Sequence, residues 1–325
     1  MKIISALCAA LCAVASHATL ANAQEAYPSR SVRLIMPFPP GSGTDALARI
    51  IAEQLSRKWN QNVVVDNMTG AGGNIGGQTV SRAAPDGYTL LFVPAPPLVI
   101  NQFIYKSTGY DADALAPITM VGSVPYIMVV RNNFPASSLK EFIAHVKANP
   151  GKITYASSSM GSTAQLAALQ LENAAGNLQM VHVPYRGAAP ALVDVMNGHV
   201  DFVFDIVTTS KQLIEAGKMK SFGVASKQRS QIMPAEPTME ENGLPGFQAL
   251  TWFGMTGPPG LPATLAERIW RDVDESLKIP AVTNRVRGMG IEIDSLPPAE
   301  AGKFFVAERK LWGDIVKSRF GAKLD

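Results

Sequence analysis

The chain has 325 residues, 47% of them hydrophobic, and a formal net charge of +3. That length suffices for one or two packed domains, and scattered charges without a basic, aromatic-interleaved run argue against nucleic acid or an anionic membrane surface as partner. Both cysteines, Cys8 and Cys12, lie in the first twelve residues, so the remainder holds no disulfide, thiol nucleophile or cysteine metal site.

Residues 1–23 read as a secretory leader. Lys2 supplies the charged start, Ile3 to Val14 the apolar stretch, and Ala21-Asn22-Ala23 a small-x-small cleavage site before Gln24. The apolar part falls short of the roughly 20 residues of a spanning helix. Export to the periplasm is the expectation.

A strand at Leu34-Ile35-Met36 then runs into Pro37-Phe38-Pro39-Pro40-Gly41-Ser42-Gly43-Thr44-Asp45. The prolines stop the strand, the glycines permit a tight path, and Thr44 or Asp45 can cap a helix from Asp45 carrying Leu47, Ile50, Ile51 and Leu55. A helix start has unpaired N–H groups and a partial positive charge, so it can seat a carboxylate without Arg or Lys. A second strand, Asn62 to Asn67, implies β-α-β with parallel pairing.

The loop Met68 to Gly77 leads to a helix expected over Gln78 to Ala84. Counted from Gly70, Ile75 stands where a dinucleotide fingerprint wants its third glycine, and no P-loop follows. Thr89 to Val93 is a third strand, and Pro94-Ala95-Pro96-Pro97 reads as a loop intolerant of helix or central strand. Ligands of open α/β sheets sit beyond the carboxyl ends of the strands, so residues 37–45, 68–77 and 94–97 line one crevice in this reading.

Ile118 to Val130 is a long β-prone stretch broken by Gly122 and Pro125, suited to carrying the chain between domains. Ser138 to Ala148 is an amphipathic helix. Ile153 to Ala156 is a strand, residues 157–163 a hydroxyl-rich loop and Ala164 to Ala175 a helix, which repeats the opening unit with other residues. Val181 to Gly187, a helix over Ala188 to Asn197, and a strand Val200 to Asp205 complete a second α/β unit. Strands at Met219 to Ser226 and Leu250 to Met255 flank a connector, Pro234 to Phe247. Helices over Leu265 to Leu277, Ile279 to Met289 and Pro298 to Lys317 end the chain, packing on the first domain.

No catalytic constellation emerges. His145, His182 and His199 lack metal-ligand spacing, Ser137-x-x-Lys140 has no companion motif, and there is no Gly-x-Ser-x-Gly elbow. Asp45 is a cap, a ligand group or both. Asp205 ends an apolar strand and needs a partner, structural or from a ligand. Arg186 is a carboxylate clamp or a solvated turn residue, and Phe38 and Tyr185 line a cleft or belong to the core.

Four stretches together resemble the Bug-type periplasmic receptors of tripartite tricarboxylate transporters. They are residues 37–45; Asn67-x-x-Gly70-Ala71-Gly72-Gly73-Asn74-Ile75-Gly76; Pro85-Asp86-Gly87-Tyr88-Thr89-Leu90; and His182 to Ala191 followed by Asp194, Gly198, Val200 and Asp201. Two departures stand out: Gln165 where the family often has His, and Asn67-Met68-Thr69 where it has Asn-Arg/Lys-Pro.

The resemblance implies a two-lobed Venus-flytrap fold of the periplasmic-binding-protein class. Each lobe would be a mostly parallel sheet flanked by helices, with two crossover strands. Lobe 1 is expected at 24–125 plus 249–325 and lobe 2 at 126–248. The expected ligand contacts are Phe38, Gly41, Ser42, Thr44 and Asp45 on the first loop, Gly72, Asn74 and Pro96 on the next two, and Ser158, Gly161, Ser162, Thr163, Tyr185 and Asp205 on the second lobe. The implied function is capture of a small carboxylate-bearing acid and delivery to membrane transporter subunits, by a monomer with no metal or cofactor and no enzymatic activity. The alternatives are a sensor for a signalling partner, and a secreted hydrolase or lyase with Asp45 or Asp205 as base.

Overall fold

The computed structural model describes residues 27–158, 162–185 and 187–319. The expected leader, Gly161 and Arg186 lie outside the described residues.

Strand β1 (Val32–Met36) is central to the first half, parallel to β2 (Val63–Asn67) on one side and to β3 (Thr89–Pro94) on the other. Leu34, Ile35 and Met36 are all buried, as a strand covered on both faces requires. Helix α1 (Gly43–Trp59) joins β1 to β2 and buries Leu47, Ile50, Ile51 and Leu55 against Leu34, Leu90 and Phe92.

A 3₁₀ turn (Ala71–Gly73) and α2 (Asn74–Ser81) follow β2, so this helix starts four residues earlier than the sequence pattern indicates. The segment after β3 is also different from expectation. Ala95–Val99 forms α3 and Asn101–Ile104 forms α4. Pro96 and Pro97 fall in the first turn of α3, where a missing N–H costs no helical bond.

Strand β4 (Ala116–Arg131) runs unbroken through Gly122 and Pro125. Up to Pro125 it pairs antiparallel with β9 (Leu250–Gly257), which is also antiparallel to β3. From Tyr126 onward it pairs with β7 (Phe202–Ile206) and β8 (Met219–Val224). The backbone is stitched at this change of partner: Tyr126 N–H donates to Ala249 O at 3.0 Å, and Ala225 N–H to Tyr126 O at 2.7 Å.

The second half reuses the first half's plan. After α5 (Leu139–Ala148), strand β5 (Thr154–Ser157) lies between β6 (Val181–Pro184) and β7, parallel to both. Helix α6 (Thr163–Ala174) joins β5 to β6, and α7 (Ala188–Met196) joins β6 to β7. A helix not legible in the sequence, α8 (Val207–Glu215), leaves β7 directly. The connector 234–247 touches β8 through a bridge from Thr238 to Val224 and buries Met239, Leu244 and Phe247.

The tail comprises α9 (Ala263–Leu277), α10 (Pro280–Gly288), β10 (Glu292–Ile293) and α11 (Pro298–Arg319). Ile269, Val273 and Leu277 of α9 join the core under α1. Helix α11 reaches further: Phe305 and Trp312 share a core with Trp252 of β9 and with Leu166 and Leu169 of α6.

Candidate functional site

The carboxyl ends of β1, β2 and β3 deliver three loops to one place. Gly73 shows how closely they meet, since a Cβ there would lie 2.7 Å from Pro97 Cγ and 3.4 Å from Phe38 Cζ. Phe38 and Pro96 are half-buried at this junction.

On the first loop the cap is Ser42, not Thr44 or Asp45. Its backbone is extended (φ −68°, ψ 158°), its hydroxyl accepts the Asp45 N–H at 3.2 Å, and α1 starts at Gly43. Asp45 turns inward, only 2% exposed. Its Oδ2 accepts from Gly41 N–H and from Arg49 Nε, both at 2.9 Å, and its Oδ1 from Asn67 Nδ2 at 3.0 Å. Burial alone would raise its pKa, but the bonds from Arg49, Gly41 and Asn67 outweigh it and hold the carboxyl below its usual range. Asn67 Nδ2 also donates to Phe38 O at 2.9 Å, which fixes the loop to the end of β2.

The Gly41 N–H and both Asp45 oxygens thus have protein partners, from within the loop, from α1 and from the end of β2. The N–H groups of Gly43 and Thr44 have no partner among the described residues. Gly43, absent from the expected contacts, joins Thr44 there.

Asn74 also turns inward, 1% exposed, with Oδ1 accepting from Asn101 Nδ2 at 2.8 Å; Asn101 donates to Gly72 O as well, at 3.0 Å. The Asn74 side chain is thereby removed from solvent contact. Gly72 adopts φ +62°, and the Tyr105 hydroxyl would be 2.5 Å from a Cβ at that position, so a larger residue is excluded twice over.

Across the crossing strands, Ser162 caps α6 with φ −69° and ψ 156° and accepts from Gln165 N–H at 3.4 Å. Thr163 and Ala164 N–H groups have no partner among the described residues. Ser158 O accepts from Gly187 N–H at 2.9 Å, and Ser157 O from Tyr185 N–H at 2.9 Å, which hold the hydroxyl-rich loop to the loop after β6.

Three residues outside the expected contacts, His182, Gln165 and Tyr126, support this second helix start. His182 bridges Ser157 Oγ (2.7 Å from Nε2) and Gln165 Nε2 (3.1 Å from Nδ1), with burial lowering the imidazole pKa. Because Gln165 donates to Nδ1, the ring proton sits on Nε2, facing Ser157. This pair is no nucleophile and base, as Ser157 is 0% exposed and an amide, not a carboxylate, faces Nδ1. Tyr126, at the crossing, is the third: its hydroxyl accepts from Thr251 Oγ1 of β9 at 3.3 Å and hydrogen-bonds Thr163 of α6.

Tyr185 and Asp205 both have protein partners, and for Asp205 these are the structural alternative of the two it needed. The Tyr185 hydroxyl donates to Asp194 Oδ2 at 2.5 Å, and burial together with that carboxylate pushes the phenol up to about 12. Its polar tip is thus committed to α7. Asp205 is 4% exposed and accepts from the Thr209 and Ser210 hydroxyls, the latter at 2.7 Å. Burial raises its pKa against those two bonds. It ties β7 to α8.

Residues 47–320 match the Tripartite tricarboxylate transporter family receptor, TctC. The chain belongs to this family. A UPF0065 protein in the tcbD-tcbE intergenic region of Pseudomonas sp. (strain P51) is 35% identical over 306 residues, covering 94% of this chain and 90% of that one. Protein BugT of Bordetella pertussis is 34% identical over 304 residues, covering 92% of each. Among solved structures, R. palustris Rpa4515 with adipate gives a TM-score of 0.71 at 31% identity, covering 90% of this chain and 98% of that one. A TctC solute binding protein from Polaromonas, with no ligand, gives 0.82 at 25% identity, covering 90% and 99%.

Membership bears out the resemblance to this receptor family, and the fold is that of a periplasmic binding protein. The receptor family is one of solute binding. Of the two sequence departures, Gln165 engages His182, while Asn67, which keeps the family's Asn ahead of the departing Met68 and Thr69, braces the first loop.

Proposed function

We propose that this receptor is exported to the periplasm and captures a small organic acid between lobes formed by residues 24–125 plus 249–325 and 126–248. It then hands the acid to the membrane subunits of a tripartite tricarboxylate-type transporter. The observation that carries this reading is the pair of helix starts. Ser42 and Ser162 cap with the same geometry, and each leaves two successive N–H groups, Gly43 with Thr44 and Thr163 with Ala164, without a partner among the described residues. Such donors gain charge-assisted hydrogen bonds from a carboxylate.

The change of partner along β4 at Pro125 and Tyr126 supports the proposed lobe boundary. The adipate in the R. palustris relative supports an acid as ligand. The contacts, revised for the inward-turned side chains, are the Gly43, Thr44, Thr163 and Ala164 amides, with Phe38, Pro96 and the Tyr185 ring as walls and Ser158 and Gly161 on the second-lobe loop. The working form is a monomer without cofactor, and it releases its ligand chemically unchanged.

A thermal-shift screen of the mature chain over di- and tricarboxylates, aromatic acids and amino acids tests the proposal. One acid is expected to raise Tm by several degrees, since ligand at 100 times Kd adds about 2.7 kcal/mol. A flat screen, with calorimetry equally silent, overturns it, and conversion of the bound acid would return the protein to the enzymes.

A further inference from the structure

We infer that Glu292 forms a latch between the lobes that favours the unliganded arrangement and so sets affinity for the acid from outside the site. The inference rests on the two-lobed reading above.

Glu292 lies on β10, which pairs with β4 at Ser123 on the first-lobe side of the crossing. Its Oε1 accepts from Ser230 Oγ at 2.8 Å and from Gln231 N–H at 3.1 Å. Both donors belong to the segment after β8, on the second-lobe side. Ser230 is 1% exposed, and its hydroxyl also accepts the Ile232 N–H at 3.2 Å, which orients its own proton toward Glu292.

A second contact lies beside the first. Gly290, with φ +79°, brings its backbone against Thr208 of α8, where a Cβ would fall 1.9 Å from Thr208 Cγ2. The loop before β10 thus touches the helix that leaves β7.

Both contacts join elements on opposite sides of the Pro125–Tyr126 crossing, so a rotation of the lobes about that crossing alters them. The arrangement that contains them gives a TM-score of 0.82 with the ligand-free Polaromonas relative and 0.71 with the adipate-bound one, although the latter is the closer in sequence. A contact made in one arrangement alone stabilises it, and apparent affinity falls with the fraction of chains able to close. Two bonds to a carboxylate are enough to alter that fraction roughly tenfold.

The test is small-angle X-ray scattering of the unliganded mature chain, wild type against Glu292→Ala, with adipate titrated calorimetrically into both. The latch predicts a smaller radius of gyration for unliganded Glu292→Ala and about tenfold tighter adipate binding. Ser230→Ala, which leaves the Gln231 bond, moves both readouts the same way by less, and serves alone if Glu292→Ala does not fold. An unchanged radius of gyration overturns the latch. If adipate binds neither protein, the ligand assignment fails, and the scattering still decides the latch.

Discussion

Ser42 and Ser162, 120 positions apart in sequence, cap the first helix after the central strand of each half with backbone angles that agree to within 2°. Each spends its hydroxyl on the N–H three residues on, leaving the two N–H groups between without a partner among the described residues. This symmetry makes single amides the targets for mutation.

Gly43→Pro removes one amide donor and little else. Position 43 is the first residue of its helix, Ser42 is already extended as a residue before proline must be, and no atom lies within 4 Å of a Cβ there. Expected are an unchanged or slightly raised Tm and binding of the acid weakened by about 1.5–3 kcal/mol, the worth of a hydrogen bond to a charged group. Calorimetry beside a melting curve checks both, and undiminished affinity would move the seat away from α1.

Asp45→Ala strands the Gly41 N–H and frees Arg49 and Asn67 from their shared acceptor. A loss of about 2–3 kcal/mol in urea unfolding is expected, together with weaker binding as the first loop loosens. The pH signature follows from the depressed carboxyl pKa. Its contribution is present above the unfolded pKa near 3.9 and is lost as pH falls through the folded value. Asp45→Asn should therefore flatten the acid limb of stability against pH, as read from urea midpoints between pH 2 and 5.

Glu308 of α11 offers the opposite sign. Its Oε2 accepts both the Trp252 and the Trp312 indole N–H, at 2.8 and 3.0 Å, and burial raises its pKa against those bonds. The folded state then holds a proton that the unfolded state gives up, so this group's contribution falls as pH rises from the unfolded value, near 4.3, through the folded one. Glu308→Gln keeps an acceptor oxygen and should abolish that decline at little cost. Glu308→Ala leaves two buried indole donors unpaired, for an expected loss of about 2–4 kcal/mol. Tryptophan fluorescence during urea unfolding at pH 4 to 8 separates the two.

His182, whose imidazole pKa is lowered by burial, holds Gln165 in its neutral form. Sign and window follow. Between the lowered folded pKa and the unfolded value near 6.5 the unfolded chain binds the extra proton, so stability drops as pH falls through that window. His182→Phe should remove the drop and, by releasing Gln165, weaken acid binding at pH 7.5 several-fold. Binding as tight as wild type would show that the bridge to Ser157 and Gln165 does not position α6.

The β-α-β opening and its repetition at 153–205 were legible because apolar runs, proline stops and glycine turns are local signals. Helix α3 was not, since Pro96 and Pro97 deny a helix interior yet suit a first turn, and only the direction of the chain after β3 distinguishes the two. Helix α8 was hidden because Val207 to Glu215 is short and holds only three aliphatic residues, Val207, Leu213 and Ile214, and the two-residue β10 is too short to carry a pattern.

The sequence by itself determined the local architecture and the family resemblance: glycine-bordered turns that open helices after apolar strands, and four stretches in the order of the family. Which donors remain available was decided by tertiary structure alone. Gly41 lost its N–H to Asp45, Asp45 is held by Asn67 from the end of another strand, and Asn74 is turned inward with its Oδ1 held by Asn101, while the N–H groups of Gly43 and Thr44 have no partner among the described residues. A polar group's freedom depends on every partner that folding brings within about 3 Å, and the deciding partners here are up to 27 positions away in the chain.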